Sequence, residues 1–428
     1  MLPRRLVWAS ISPQQRLTEW LTGEAKLNSA IRSHFHSAAT FRNCSEKSQS
    51  AAGSTSLSER GPFVSRLNSR GVLRFDGPDT VKFLQGLITN DLRLLEEQTR
   101  QPVPTPNQPA AQSGPVYAAF LNSQGRFLYD IFIYRPVRAE EKLNATGSGP
   151  GDDSHQPALL ADVDRDSLHE LLDHLNKYRL RAKVEIQDAS KDMAAWQRFG
   201  GALVHESGVN KDAETEGIGW GGGNDLSGCA AAQGCIQSCK WFRDPRLASL
   251  GFRGIFPSDS LPPLVEADKE VDEQYYLLLR LEEGVPEGSA EIPKGEAIPL
   301  EYNLAGLNAI SFEKGCYVGQ ELVARTHHRG VIRKRILPVH FTLDSGEEVQ
   351  QKVAPKSELI NADSGKAVGT VTTVLGSRGL ALLRLEAALK NSNRLNLKGL
   401  ENVRVEVIRP RWWPREWGQE EEQQAAMA

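Results

Sequence analysis

A change of hydrophobic period near residue 331 restricts the fold more than any other feature of this chain. Before it, strand-like runs at residues 72–75, 116–121, 127–135, 158–163, 183–187 and 194–199 are interleaved with helical spacings. The first helical stretch follows Asp76-Gly77-Pro78, with the proline at its first position and Val81, Leu84, Leu87 and Ile88 on one face. The second, over 164–180, aligns Leu168, Leu171, Leu172, Leu175 and Tyr178 behind an N-capping Asp164. A third, over 266–283, carries Val271, Tyr275 and Leu278 and stops at Gly284. Beyond residue 331 only short strands recur, at 331–341, 368–374, 380–385 and 403–408. Interleaved strands and amphipathic helices predict an α+β fold, and evenly spaced strands without helices predict a small closed β-domain.

Soft segments divide the pattern. Residues 99–115 are rich in proline and glutamine, 139–157 are similarly polar, and 206–239 are rich in glycine. The organisation predicted is a leader (1–43), an N-terminal α+β domain (63–205), a low-complexity insert (206–239), a second α+β part (240–330), a β-barrel (331–410) and a tail (411–428). A formal net charge of -3 over 428 residues gives no reason to expect nucleic-acid binding through bulk charge. No stretch approaches the ~20 apolar residues of a membrane-spanning helix. Five cysteines (Cys44, Cys229, Cys235, Cys239, Cys316) do not make a secreted disulfide framework and fit a reducing intracellular compartment. Residues 1–43 hold six bases against Glu19 and Glu24, the composition of a mitochondrial transit peptide; a tail without address is the alternative.

Residues 314–330, KGCYVGQELVARTHHRG, place one cysteine in a turn flanked by Gly315 and Gly319. Glycines permit backbone angles closed to other residues, so the turn can present Cys316 at a surface. A helix predicted over 320–326 puts the thiol shortly before a helix N-terminus, and Lys314 and Arg325 bring positive charge. Under such conditions a thiol titrates below its ordinary value of about 8.5 and becomes a nucleophile or metal ligand. The alternative is a cysteine packed as a small hydrophobe beneath Tyr317.

Other candidates are weaker. Cys229, Cys235 and Cys239 match no common zinc or cluster spacing. His327 and His328 face different directions on a helix and read as a polar helix end. Gly221–Gly223 lacks the strand–loop–helix frame of a phosphate cradle. Arg329, Arg333, Lys334 and Arg335 make either a solvated strand edge or an RNA contact. Trp412, Trp413 and Trp417 make either a partner-docking strip or a packing against the β-domain.

Taken in order, GPDTVKFLQGLITND (77–91), NSQGRFLYDIFIYR (122–135), DPRLASLGFRG (244–254), LRLEEGVPEG (279–288), IPLEYNL (298–304) and KGCYVGQELVARTHHRG strongly resemble a known family. It is that of the mitochondrial iron–sulfur cluster assembly factors related to the glycine-cleavage T-protein, an aminomethyltransferase. The resemblance covers about residues 63–409. It implies a T-protein-like cloverleaf of α+β folate-binding domains, followed by a small C-terminal β-barrel. It also implies a mitochondrial matrix factor that binds tetrahydrofolate and assists maturation of [4Fe–4S] proteins. A-type scaffold proteins and [4Fe–4S] clients are its implied partners, with transient contact to a cluster. The residues carried over as the functional site are Cys316, Lys314, Tyr317, Gln320, Glu321 and Arg325. Those carried over for folate are Asp130, Arg280, Glu282 (or Glu283) and Glu301. The alternative for Arg280 is an Arg–Glu ion pair that holds domains together. The T-protein has paired aspartates where this chain has Tyr129-Asp130, which places the parent aminomethyl transfer in question. A folate-dependent one-carbon or RNA-modifying transferase is the rival function, and enzymatic turnover is left open.

Overall fold

A computed structural model of the chain describes residues 61–97, 114–136, 158–201, 203, 240–265, 267–343, 353–390, 395–414 and 417. The leader, most of the three soft inserts, Cys44, Cys229, Cys235, Cys239, Gly221–Gly223 and the end of the tail lie outside the described residues. The chain opens with β1 (Phe63–Arg66) and β2 (Arg70–Asp76), then α1 (Thr80–Gln85) and α2 (Leu94–Glu97). The hairpin β3 (Val116–Leu121) and β4 (Phe127–Tyr134) precedes β5 (Leu159–Asp164), α3 (Leu168–Arg179), β6 (Glu185–Asp188) and β7 (Met193–Phe199). β8 (Phe242–Arg243), β9 (Phe252–Pro257), β10 (Lys269–Glu270), α4 (Glu273–Glu283) and α5 (Gln320–Arg329) follow. The last part is β11 (Lys334–Leu343), β12 (Glu358–Asn361), β13 (Ala367–Leu375), β14 (Arg378–Arg384), α6 (Leu385–Lys390), β15 (Leu395–Leu397) and β16 (Leu400–Val407).

Side chains of a strand alternate between faces, and here that period assigns the cores. In β4, Tyr129, Ile131 and Ile133 face one core with Leu84, Leu168, Leu171 and Leu175 of the helices. Phe132 and Tyr134 face a second core, shared with Ala195, Phe199, Tyr276 and Leu279. Two five-stranded sheets enclose that second core: β3-β4-β5-β2-β6 and β10-β1-β7-β9-β8. Asp130, Asp162 and Arg253 project between them. The C-terminal strands close into a barrel, β11-β14-β13-β12-β15-β16, filled by Leu337, Val339, Phe341, Val371, Leu383 and Val405.

Several local expectations are corrected. Pro78 lies outside α1, whose N-cap is Asp79. α3 starts at Leu168 rather than 164, with Ser167 as N-cap; the Asp164 carboxylate instead accepts from the Asp166 backbone N–H at 3.1 Å and the Ser167 hydroxyl at 3.2 Å. α4 starts at Glu273 because the Asp272 side chain caps it, accepting from the Gln274 N–H at 2.9 Å. Gly284 closes it as expected, left-handed with φ 73°. The barrel includes two strands too short to signal in the sequence, β12 and β15, and one short helix, α6.

The tryptophan strip packs inward. Trp413 is buried in the barrel core, Trp412 donates its indole N–H to the Glu283 carbonyl at 2.8 Å, and the Arg335 guanidinium lies 3.6 Å from the Trp417 ring centre. Arg335 is itself buried and donates to the Leu300 carbonyl at 3.2 Å, so the basic run at 329–335 is no simple solvated edge.

Candidate functional site

The cysteine turn is held by everything around it except the cysteine. Gly319, the N-cap of α5, has φ +81°, and a Cβ there would stand 2.4 Å from the Asn122 carbonyl oxygen. Gly125 in the β3–β4 turn has φ +75°, and its Cβ would lie 2.6 Å from Leu322 Cβ and 2.8 Å from the Gly319 carbonyl oxygen. The turn after β3 and the start of α5 therefore meet backbone to backbone, which only glycine allows on both sides. Asn122 shapes its turn by accepting from the N–H groups of Gln124 (3.0 Å) and Arg126 (2.9 Å). Gly315 needs neither exemption: its φ is ordinary and a Cβ there would meet nothing within 4 Å.

Lys314 is 5 % exposed and its Nζ donates to the carbonyls of Gln85 (2.7 Å), Ile88 (2.7 Å) and Asn90 (2.9 Å), where α1 ends. Burial pulls its ammonium down to about 8, yet three carbonyls in range of three N–H bonds favour the charged form. The Tyr317 ring lies beneath it, 5.0 Å from Nζ, and is buried in the core between the sheets. Val318 donates its N–H to the Gly86 carbonyl at 3.2 Å. Between these anchors Cys316 is exposed. Packing beneath Tyr317 is thus excluded: the ring goes in and the sulfur stays out.

Both cations expected near the thiol have partners of their own. The three hydrogens of Lys314 point at backbone carbonyls, and Arg325 pairs with Glu321 at 2.5 Å on the exposed face of α5. Gln320 is half-buried at the helix start. His327 stacks on Phe312 with ring centres 3.7 Å apart.

A second constellation lies between the sheets, and most of it escapes the sequence reading. Asp162 of β5 receives Arg70 Nε from β2 at 2.6 Å and Arg253 Nε from β9 at 2.7 Å. Glu287 accepts from both terminal nitrogens of Arg253, at 3.1 Å each, and from Arg246 at 2.5 Å. Arg246 also forks onto Asp244, at 2.8 and 2.9 Å, and donates to the Tyr276 hydroxyl at 2.5 Å. The Phe132 ring centre lies 4.1, 4.7 and 5.5 Å from the guanidinium carbons of Arg253, Arg246 and Arg70. Every one of these charged groups is buried. Burial by itself would push the Glu287 carboxyl up, but Arg253, Arg246, Arg280 and Arg70 together hold it well below the usual range.

Of the residues carried over for folate, Asp130 and Arg280 reach this centre, and Glu282 and Glu301 lie elsewhere. Asp130 is fully buried, 3.1 Å from Arg70 Nη1, and accepts from the Gly288 N–H at 3.1 Å; burial raises its carboxyl. Arg280 forms a bidentate pair with Glu291 (2.7 and 3.0 Å), an Arg–Glu pair within one predicted part of the chain. Glu282 is half-buried at the end of α4. Glu301 is half-buried, its carboxyl raised by burial, with Lys334 and Arg126 as its charged neighbours. Tyr129 belongs to the opposite face of β4, where its hydroxyl accepts from Lys294 at 2.9 Å. An acid at 129 would therefore have faced α3, and its absence says nothing about the centre. Among the described residues, the polar atoms at the centre without a hydrogen-bond partner are the buried hydroxyls of Tyr117 and Tyr134 and the Nε of Arg280, 4.0 Å from Glu287.

The missed residues sit inside phrases that were quoted whole. Asp244, Arg246 and Arg253 lie in DPRLASLGFRG, and Glu287 lies in LRLEEGVPEG, past the helix stop. Arg70 and Asp162 fall on strands that carry other charges as well, Arg74 and Asp76 on β2 and Asp164 on β5, so a charge on the strand did not single them out.

Comparison with known proteins gives a consistent picture. Residues 333–415 match the family described as CAF17, C-terminal beta-barrel domain. The chain is 32% identical over 381 residues to the mouse protein named iron-sulfur cluster assembly factor IBA57, mitochondrial, covering 89% of this chain and 94% of that one. It is 37% identical over 359 residues to the human protein of the same name, covering 82% and 85%. A homologue so named in Mycosarcoma maydis is 32% identical over 411 residues, covering 87% and 89%. Among solved structures, the glycine cleavage system aminomethyltransferase T of Bartonella henselae superposes with a TM-score of 0.52 at 13% identity, covering 82% of this chain and 86% of that one.

Proposed function

The chain belongs to the family of mitochondrial iron–sulfur cluster assembly factors named IBA57, and from that premise we propose that Cys316 is the group through which it handles a cluster. It is a mitochondrial assembly factor on the aminomethyltransferase T fold. The observation that carries the proposal is the exposure of Cys316 between two buried anchors, Lys314 and Tyr317. A side chain needed for packing would not be the exposed member of that trio.

One thiolate cannot hold a [4Fe–4S] cluster, which takes about four cysteine ligands. The remaining ligands must come from a partner, such as an A-type scaffold protein or the [4Fe–4S] client, and the cluster is cargo. The step is ligand exchange. Cys316 loses its proton and bonds to one iron, a partner thiolate leaves that iron and takes up a proton, and no electrons change hands. The cluster-loaded scaffold mixed with this protein should show a changed iron–thiolate charge-transfer spectrum. The Cys316→Ser protein should leave that spectrum as it is in the scaffold alone; an identical change with the serine variant would remove Cys316 from the exchange.

A second reading adds tetrahydrofolate, favoured by the unpartnered phenols of Tyr117, close to Asp130, and of Tyr134, further along the same face of β4 close to Asp162. Tyr117, Tyr134 and Asp130 would hold a pterin, which would supply one-carbon or electron-donating chemistry. Calorimetric titration with tetrahydrofolate tests it: Tyr117→Phe together with Tyr134→Phe should weaken binding at least tenfold, and no heat with the unaltered chain would end this reading.

A further inference from the structure

The end of α3 carries a feature that neither the thiol nor the buried ion pairs explain. Residues 177–183 read KYRLRAK, and Lys177, Arg179, Arg181 and Lys183 are all exposed. So are the two large apolar side chains between them: Tyr178 is 38 % exposed and Leu180 is 88 % exposed, the most of any large hydrophobic residue described. Leu180 also has φ 46° and ψ -107°, a backbone region that a leucine enters only when its surroundings impose it.

The surroundings do impose it. Lys183 donates its N–H to the Asp79 carboxylate at 2.8 Å, Ala182 donates its own to the Arg179 carbonyl at 2.8 Å, and Val184 is buried. Gly77 runs so close that a Cβ on it would stand 2.2 Å from the Lys183 carbonyl oxygen. Both ends of the turn are therefore fixed while its tip holds a leucine out in water. Among the described residues no carboxylate pairs with Lys177, Arg181 or Lys183, and Arg179 donates only to the Val184 carbonyl, at 3.4 Å. Some exposed cations elsewhere have acids, as Arg74 on Asp76, Arg325 on Glu321 and Lys398 on Glu358, and others such as Lys191 and Lys366 have none among the described residues; what sets this turn apart is four such cations around two exposed apolar side chains. Exposed Asp173 and Glu185 are the nearest acids along the chain, and in space Asp79, which accepts from the Lys183 N–H, and Asp76, already paired with Arg74, lie against the turn.

We propose that the turn at 177–183 docks the protein reversibly on an anionic phospholipid surface, Leu180 and Tyr178 entering the headgroup region within a collar of four cations. A convex apolar tip with flexible cations around it suits a deformable charged surface, whereas a folded acidic protein would have to supply a matching hollow. Each cation near such a surface is worth about fivefold in partition. The docking does not depend on the chemistry of Cys316.

Co-sedimentation of the full chain with vesicles tests this. Vesicles of phosphatidylcholine with roughly one part in four of phosphatidylglycerol should take up the protein at least tenfold better than phosphatidylcholine alone, and high salt should abolish the difference. Arg181→Gln with Lys183→Gln should lower partition on the order of twenty-five-fold. Leu180→Gly should lower it several-fold while the melting temperature stays level or rises, because glycine accepts the backbone angle. A leucine exposed for a purely structural reason would not give that pair of results. Equal uptake by neutral vesicles, or wild-type uptake by both variants, would overturn the proposal. So would absent vesicle binding beside charge-dependent binding to polyglutamate, which would assign the turn to an acidic protein.

Discussion

Lys314 and Cys316 are two residues apart and opposite in circumstance. The ammonium is buried against three carbonyls, and the thiol is in water. Lys314→Met should strand those carbonyls and lower unfolding free energy by about 2–3 kcal/mol, as read by urea denaturation. Cys316→Ser, at an exposed position, should change it by no more than about 0.5 kcal/mol. Equal losses would mean that the sulfur too is part of the packing. The motif announced the thiol, since glycines around a lone cysteine mark a presented turn. It did not announce the role of Lys314, because sequence displays a charge without its direction. The same blindness hid Glu287, three residues past the stop of α4, and made Arg280 look available when Glu291 already holds it.

Among elements, the decisive contact is between the β3–β4 turn and the start of α5. Gly319→Ala must force a Cβ toward the Asn122 carbonyl oxygen at φ +81°, where both sterics and backbone angle oppose it. The expected cost is about 2–4 kcal/mol, measurable as a shift in the denaturation midpoint, with Gly315→Ala within about 0.5 kcal/mol as the control. A milder Gly319 than Gly315 would show that the two turns do not interlock. Both turns were legible from asparagine and glycine chemistry; their meeting, almost two hundred residues apart, was not. Strand alternation was legible too, and it alone puts Tyr129 and Asp130 on opposite faces of β4. β12 and β15 were invisible because three or four residues carry too little period to separate strand from loop.

In the whole molecule, the two sheets are joined through a dehydrated ion-pair core in which Asp162 bridges Arg70 of one sheet to Arg253 of the other. Removing one partner of such a buried set leaves uncompensated charge, so Asp162→Ala should cost about 3–5 kcal/mol. Glu287 gives the core a pH signature. Its carboxyl is held well below its ordinary 4.5, so its contribution is present above that pH and is lost as pH falls beneath it. The stability gap between the natural chain and Glu287→Gln should therefore narrow as pH drops below about 4.5, in denaturation series from neutral to acid. A gap that widened would mean that the glutamate is not ionised in the folded protein. The fold class and the C-terminal barrel were readable from period alone, but the ion-pair core was not, since its members come from six separated segments. The function proposed rests on the thiol that this framework presents. Its most direct measurement is the activity of a mitochondrial [4Fe–4S] enzyme in cells lacking this factor and supplied with either the natural chain or Cys316→Ser, both at equal abundance. The natural chain should restore the enzyme and the serine variant should not; full restoration by the serine variant would contradict the account.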